Sequence, residues 1–272
     1  MDPALIIGIV LAFASLLTMI TLEGASITAL ILPAPMILVL GGTFGVGFAS
    51  TTMKDALNAL KSLPRYILGK SQAPRAVIDQ VVELAEIARK NGLLALESEA
   101  AKIDDPFLKK ALQNIADGVD ADDLRIMLED EASTVERSGQ NASKFFNSLG
   151  GFAPTIGIIG TVVSLTHVLE HLDQPATLGH SIAGAFVATL WGVMTANFLW
   201  LPIGGRITKI TSLESERLTI LIEGIMALQA GSQPRLLSER LLAMIPASEQ
   251  SSNAKGSTAK GEKAPAKAKK AA

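Results

Sequence analysis

Apolar positions along the chain fall into two kinds of pattern. Four stretches are apolar all the way round: Ala4–Leu22, a segment between Ile27 and Thr52, Leu149–Leu169 and Ser181–Ile203. None holds an Asp, Glu, Lys or Arg, and each reaches the roughly 18 to 20 residues that a hydrocarbon core of about 30 Å requires of a helix. Pro33 and Pro35 loosen the start of the second. Elsewhere the apolar residues recur at helical spacing. Val81, Val82, Leu84, Ala85 and Ala88 predict a helix over 79–89, which Asn91-Gly92 stops before another over 93–101. Helices over 105–115 and from a cap near Asp120 to about Arg137 follow. After the fourth apolar stretch, Ile207, Ile210, Leu213, Leu218, Leu221, Ile222, Ile225 and Leu228 keep the period as far as Gly231, an apolar stripe that wants a partner helix. No segment reads as a strand.

Composition agrees with four membrane spans: 49% of the 272 residues are hydrophobic, 18% are charged, and the mean hydropathy is +0.37. The leader Met1-Asp2-Pro3 has no basic residue, so the first span reads as a permanent anchor rather than a cleaved signal. Charge then orients the chain. Of 24 Lys and Arg, 13 lie between Met53 and Phe145, 11 lie after Gly205, and none lies in Glu23–Ser26 or in Glu170–His180. That asymmetry places the long middle segment and both termini in the cytoplasm and the two short loops outside. The expected fold is all-α: an integral membrane protein with four transmembrane helices, a large helical cytoplasmic loop between spans 2 and 3, and a cytoplasmic C-terminal helix. The divisions fall at 1–52, 53–145, 146–204, 205–247, and a Lys-rich disordered tail at 248–272 that suits anionic lipid or simple solvation.

Candidate chemistry is sparse. No Cys is present, which removes disulfides and thiolates. His167-Val-Leu-Glu170-His171 spells the H-x-x-E-H of inverted zinc proteases, but it closes the third span beside an eleven-residue loop that leaves no room for a substrate cleft. A hydrated helix end is the expected reading, with His180 as a conceivable third ligand, and neither catalysis nor a metal is assigned. The acidic run Asp117–Asp123 lacks the sixth-position Gly and twelfth-position Glu of a calcium loop and predicts a helix cap. Intramembrane carboxylates mark ion pathways because they are costly. Their absence means that any ion carried past these spans must titrate on another polypeptide, this chain offering hydroxyls such as Thr161, Ser164 and Thr189.

Spans three and four are rich in small residues, and a Pro stands at the inner end of each, Pro154 and Pro202. Small faces let helices pack closely in lipid. An interior Pro removes a backbone hydrogen bond and is expected to kink the helix. Arg89, Lys90, Glu97 and Glu99 bracket the Asn-Gly break, either as a solvated face or as a docking surface.

The four-span order, the run Ala88–Glu97 (ARKNGLLALE), the run Ala153–Thr161 (APTIGIIGT), and Leu178-Gly179-His180 leading to Ala188–Gly192 (ATLWG) resemble the MotA/PomA flagellar stator proteins of the MotA/TolQ/ExbB superfamily. The likeness runs from about Asp2 to Pro246. It implies a homo-oligomer, a five-fold ring of this chain around two copies of a MotB/PomB-type subunit that carries the ion-binding Asp and grips peptidoglycan. It also implies an inner-membrane location, contact with the rotor switch protein FliG, and no enzymatic activity, cofactor or nucleic acid, only translocated H⁺ or Na⁺. Pro154 and Pro202 match the coupling prolines, and Arg89, Lys90 and Glu97 the rotor-facing charges, which belong to the 53–145 segment. Ser98 stands where some relatives have a further acid. Thr161 and Thr189 resemble the lining of sodium-driven members, yet structural packing also uses such hydroxyls, and both ions are compatible with it. A TolQ/ExbB-type energiser is the alternative, expected to have three spans rather than four.

Overall fold

The computed structural model describes residues 3–69, 72–173 and 175–250. The Lys-rich segment from residue 251 and the side chain of His180 lie outside the described residues. Every element is helical: α1 Ala4–Leu22, α2 Pro33–Ala49, α3 Met53–Leu68, α4 Pro74–Asn91, α5 Ala95–Ala100, α6 Pro106–Ala116, α7 Ala121–Glu170, α8 Pro175–Thr195, α9 Leu201–Gln229, α10 Pro234–Leu242 and α11 Ala247–Gln250. A 3₁₀ turn spans Ile27–Leu30, and a π turn, Ala196–Trp200, joins α8 to α9. Two compact units result. One is formed by residues 1–70 and 135–213, the other by 71–134 and 214–272.

In the first unit α1, the apolar part of α7 and the run from α8 into α9 are long and apolar enough to cross a membrane. α2 is not: its 17 residues make a helix of about 26 Å, short of a ~30 Å core. The expected second span is therefore broken up. Pro33 forces Leu32 into extended backbone (φ −107°, ψ 116°) and begins a new helix at its first position, where the missing N–H costs nothing. The residues ahead of it close only the 3₁₀ turn, which Trp191 Nε1 ties to α8 by donating to the Leu30 carbonyl at 2.8 Å. α3 is amphipathic and packs on α7 and α9 around Ala56, Ala59, Tyr66, Phe145, Phe146, Leu149 and Ile207. Thr52 caps it, accepting from Asp55 N–H at 3.1 Å. α1 stays largely uncovered, with Ile7, Val10 and Leu11 about 60% exposed, as an apolar helix facing lipid or another subunit would be.

The second unit is a conventional helical core. Val77, Ile78, Val81 and Leu84 of α4, Leu96, Phe107, Leu108, Leu112, Leu124, Leu128 and the stripe Leu218, Leu221, Ile222, Ile225 and Leu228 are all buried. Asp105 caps α6 through the N–H groups of Phe107 and Leu108, at 2.9 and 3.2 Å. Asp120 caps α7 through Asp122 N–H at 2.9 Å, the role expected of the acidic run. Gly92 ends α4 with φ +82° and ψ 166°, a region essentially confined to glycine that costs a side-chain-bearing residue about 1–3 kcal/mol. The largest difference from expectation is α7. The helix expected to end near Arg137 runs on through Glu170, 50 residues in all.

Candidate functional site

α7 and α8 meet across the small faces anticipated for spans three and four. Ala153, Ile156, Gly157 and Gly160 of α7 and Ala185, Ala188 and Gly192 of α8 are buried. The contact is backbone on backbone. A methyl added to Gly157 would stand 2.9 Å from the Ala188 carbonyl oxygen and 3.3 Å from the Cα of Gly192 and of Thr189. One added to Gly192 would stand 2.6 Å from the Ala153 carbonyl and 3.3 Å from Pro154 Cα. Close approach of this kind is what permits dispersion to hold helices together in lipid.

This crossing places two of the four intramembrane candidates, Pro154 and Thr189, whose backbones form it. Thr161 lies one turn beyond Gly157 on α7, partly exposed, with its hydroxyl donating to the Ile158 carbonyl at 2.6 Å. That bond uses the proton and leaves both oxygen lone pairs for a cation. Next to this face, Ile158, Ile159, Val162 and Val163 of α7 are each more than half exposed, so a second apolar surface stands uncovered beside the packed one.

Pro154 leaves the Gly150 carbonyl without its usual partner, yet α7 stays helical through it. Pro202 is accommodated differently, in a way the sequence did not disclose. Ahead of it the chain widens into the π turn, where Leu201 N–H donates to Ala196 five residues back, and Pro202 then occupies the first turn of α9. Below the proline Gly204 packs against Asn147, and its carbonyl accepts from Ser143 Oγ at 3.0 Å and Thr208 Oγ1 at 3.1 Å. Asn147 Nδ2 donates to the same Ser143 oxygen at 3.1 Å. Motif reading passed over this buried polar knot because single Ser, Asn and Thr residues in helices carry no signal until their partners, some sixty positions away, are known.

Arg89, Lys90 and Glu97 are brought together on the α4–α5 hairpin of the second unit, and all three are exposed. Lys90 holds only a loose contact with Glu86, 3.8 Å, with both side chains more than half exposed. Behind Arg89 a cavity of about 180 Å³ is lined by Ala85, Gly92, Leu228 and Gly231 among others. Two arginines of this unit are held charged. Arg125 is raised by its hydrogen bonds to Glu223 and Glu129. For Arg217, burial pulls downward, but Glu214 and Asp105 together raise it above its ordinary value.

His167 and His171 stack at the end of α7, ring centroids 4.3 Å apart, with Glu170 beside them. Of the three, His167 alone lines the neighbouring cavity, whose other walls are mostly apolar, Leu32, Pro33, Ala34, Pro35 and Val163 among them.

Residues 6–92 match the Motility protein A N-terminal family, and residues 99–219 match the MotA/TolQ/ExbB proton channel family. The chain is 33% identical to Motility protein A of Bacillus subtilis over 97% of its own length and 98% of that protein's. It belongs to the motility protein A family. Among solved structures, this member of the family is similar to a chain of the C. jejuni MotAB structure, with a TM-score of 0.85, 29% identity, and coverage of 91% of this chain and 97% of that one. The flagellar MotAB stator complex from Bacillus subtilis gives a TM-score of 0.82 and 32% identity, with 90% and 96% covered. The N-terminal match takes in α1 and α2, the hairpin that supplies the span beyond the three expected of an energiser.

Proposed function

We propose that the chain is the ring-forming subunit of a flagellar stator, lying in the bacterial inner membrane with both termini in the cytoplasm and four spans, the second completed by the 3₁₀ turn ahead of α2, and converting an ion gradient into torque. The single observation that carries this reading is the agreement of fold and sequence with MotAB stator complexes over about nine-tenths of the chain. The carboxylate-free packing of α7 on α8 supports it. A helix pair with no titratable group at depth cannot bind and release a proton by itself, whereas one with an uncovered apolar surface beside hydroxyls suits a partner helix that brings the carboxylate. The partner is a MotB/PomB-type subunit anchored to peptidoglycan, enclosed by several copies of this chain, five by the family resemblance, with lipid around them.

The roles then follow from position. Thr161 and Thr189 line the ion path. Pro154 and Pro202 couple it to the cytoplasmic part, where Arg89, Lys90 and Glu97 meet the rotor switch protein FliG. The chain itself catalyses no covalent step and needs no cofactor. In a strain lacking its own stator, this chain and its native partner restore swimming, whereas the chain alone neither restores it nor permeabilises membranes. Permeability of rings without any partner, at the level of the complex, sinks the proposal. In the same strain, replacing Na⁺ by K⁺ at fixed pH identifies the ion: loss of motility means Na⁺, undiminished speed means H⁺.

A further inference from the structure

We propose that His167, Glu170 and His171 form a binding site for a divalent transition-metal ion, Zn²⁺ in the first instance, at the end of α7. Spacing of three and four residues puts the side chains on one helical face. One ligand atom from each residue lies within 4.8 Å of the others. Tetrahedral Zn²⁺ with bonds of about 2.0 Å needs ligand atoms roughly 3.3 Å apart. His167 and Glu170 are well exposed, 59% and 65%, so χ rotation closes the gap without moving backbone.

A second observation singles out His171. Its Nδ1 lies 3.0 Å from the His167 carbonyl, a group with no acceptor role left inside the helix. Nδ1 therefore carries the proton and donates, and Nε2 is left with its lone pair outward, the arrangement in which metal-ligating histidines are held. His167, though not Glu170 or His171, also lines a cavity of about 350 Å³ walled by Leu32, Pro33, Val163, Ser164 and Ser181 among others, while the exposure of His167 and Glu170 gives water access to complete the coordination. Imidazole nitrogen with one carboxylate selects Zn²⁺, Ni²⁺ or Cu²⁺ over Mg²⁺ and Ca²⁺. Open to solvent and built from three side chains, the site binds exchangeable metal rather than a resident catalytic ion. Bound metal fastens the last turn of α7 to the turn that follows it. The site faces the outside of the cell if the proposed orientation holds, but binding does not depend on the stator reading.

The test uses the full chain purified in detergent with its native partner through a tag free of His, dialysed to equilibrium against micromolar ZnCl₂. One Zn²⁺ per chain is expected. His167→Ala and His171→Ala should each weaken binding by roughly tenfold to a hundredfold, and Glu170→Gln by about tenfold. Co²⁺ in place of Zn²⁺ should give visible absorption that disappears in His171→Ala, a signature that a merely structural histidine would not move. No zinc bound, or zinc retained in both His variants, overturns the proposal. Because His167 and Glu170 are exposed and His171 is only half-buried, the variants should elute from gel filtration as the parent does. Restored swimming with no zinc bound separates failure of this site from failure of the stator assignment.

Discussion

Gly192 shows how much of the α7–α8 crossing depends on one missing methyl group. The atom that an added methyl would meet is a carbonyl oxygen, Ala153 O at 2.6 Å, and backbone yields less readily than the tip of a side chain. Overpacking of this kind costs about 1–3 kcal/mol. Gly192→Ala should lower the melting temperature of the purified complex and the amount assembled in the membrane. Gly8→Ala, where nothing stands within 4 Å, should leave both unchanged. Equal melting of the two variants would mean that the crossing is not tight. The sequence exposed the run of small residues but not their partners. The missing side chain of Gly139, a residue no motif marked, makes way for Thr211, with Thr211 Cγ2 only 2.7 Å from where a Cβ would be. A Gly needed for close approach and a Gly needed for a turn are spelled alike. Thr161 was found through its hydroxyl, but that it bonds to Ile158 and keeps its lone pairs free could be read only from coordinates.

Elements show where local signals suffice. Asp120 caps the helix that follows it, and Gly92 and Gly231 each end one with positive φ, as the sequence pattern predicts, whereas the caps at Thr52 and Asp105 emerge only from the structure. What local pattern lacked was α7, because the polar stretch between Arg137 and Leu149 imitates a linker while its buried residues, Ala142, Phe145, Phe146 and Leu149, keep a helical period. Asp105 carries more than a cap. Its second oxygen accepts from Arg217, which is only 8% exposed and otherwise held by Glu214 at 2.8 Å. Asp105→Ala removes the cap and strips a nearly buried guanidinium of one of its two carboxylates. We expect a loss of about 2–4 kcal/mol, with Asp105→Asn costing less because its side-chain oxygen still caps α6. Denaturant unfolding of the chain in mild detergent, followed by the near-ultraviolet signal, measures it, and a loss below 1 kcal/mol would show that Glu214 alone suffices. The π turn poses the converse case. With Pro202→Ala the backbone regains its N–H and an unbroken α-helix becomes available from α8 into α9. Assembly should persist while swimming is lost, and normal swimming would leave the π turn without a role in coupling.

At the scale of the whole molecule, the distribution of charge separates what is buried from what is offered to a partner. The arginines that hold the second unit together, Arg125 and Arg217, are engaged with carboxylates on other helices. Arg89 and Glu97 are exposed, one before and one after the Gly92 that ends α4. Charge asymmetry between loops and tails was legible from sequence and gave the expected topology. That the two units divide inside α7 and α9, which each contribute residues to both, was not, because a continuous helix carries no turn signal at the crossing. Exposed charges at a protein interface govern on-rate and specificity more than affinity, and salt screens them within about 10 Å at 0.1 M. Arg89→Ala with Glu97→Ala should therefore leave folding and ring assembly intact but reduce the number of engaged stators and the swimming speed, with Arg89→Glu more damaging than Arg89→Ala because it repels what Arg89 attracts. Counting fluorescent stators at the motor, alongside swimming speed, distinguishes failure to dock from failure to push. Full occupancy at normal speed in the double variant would return these residues to the status of a solvated face.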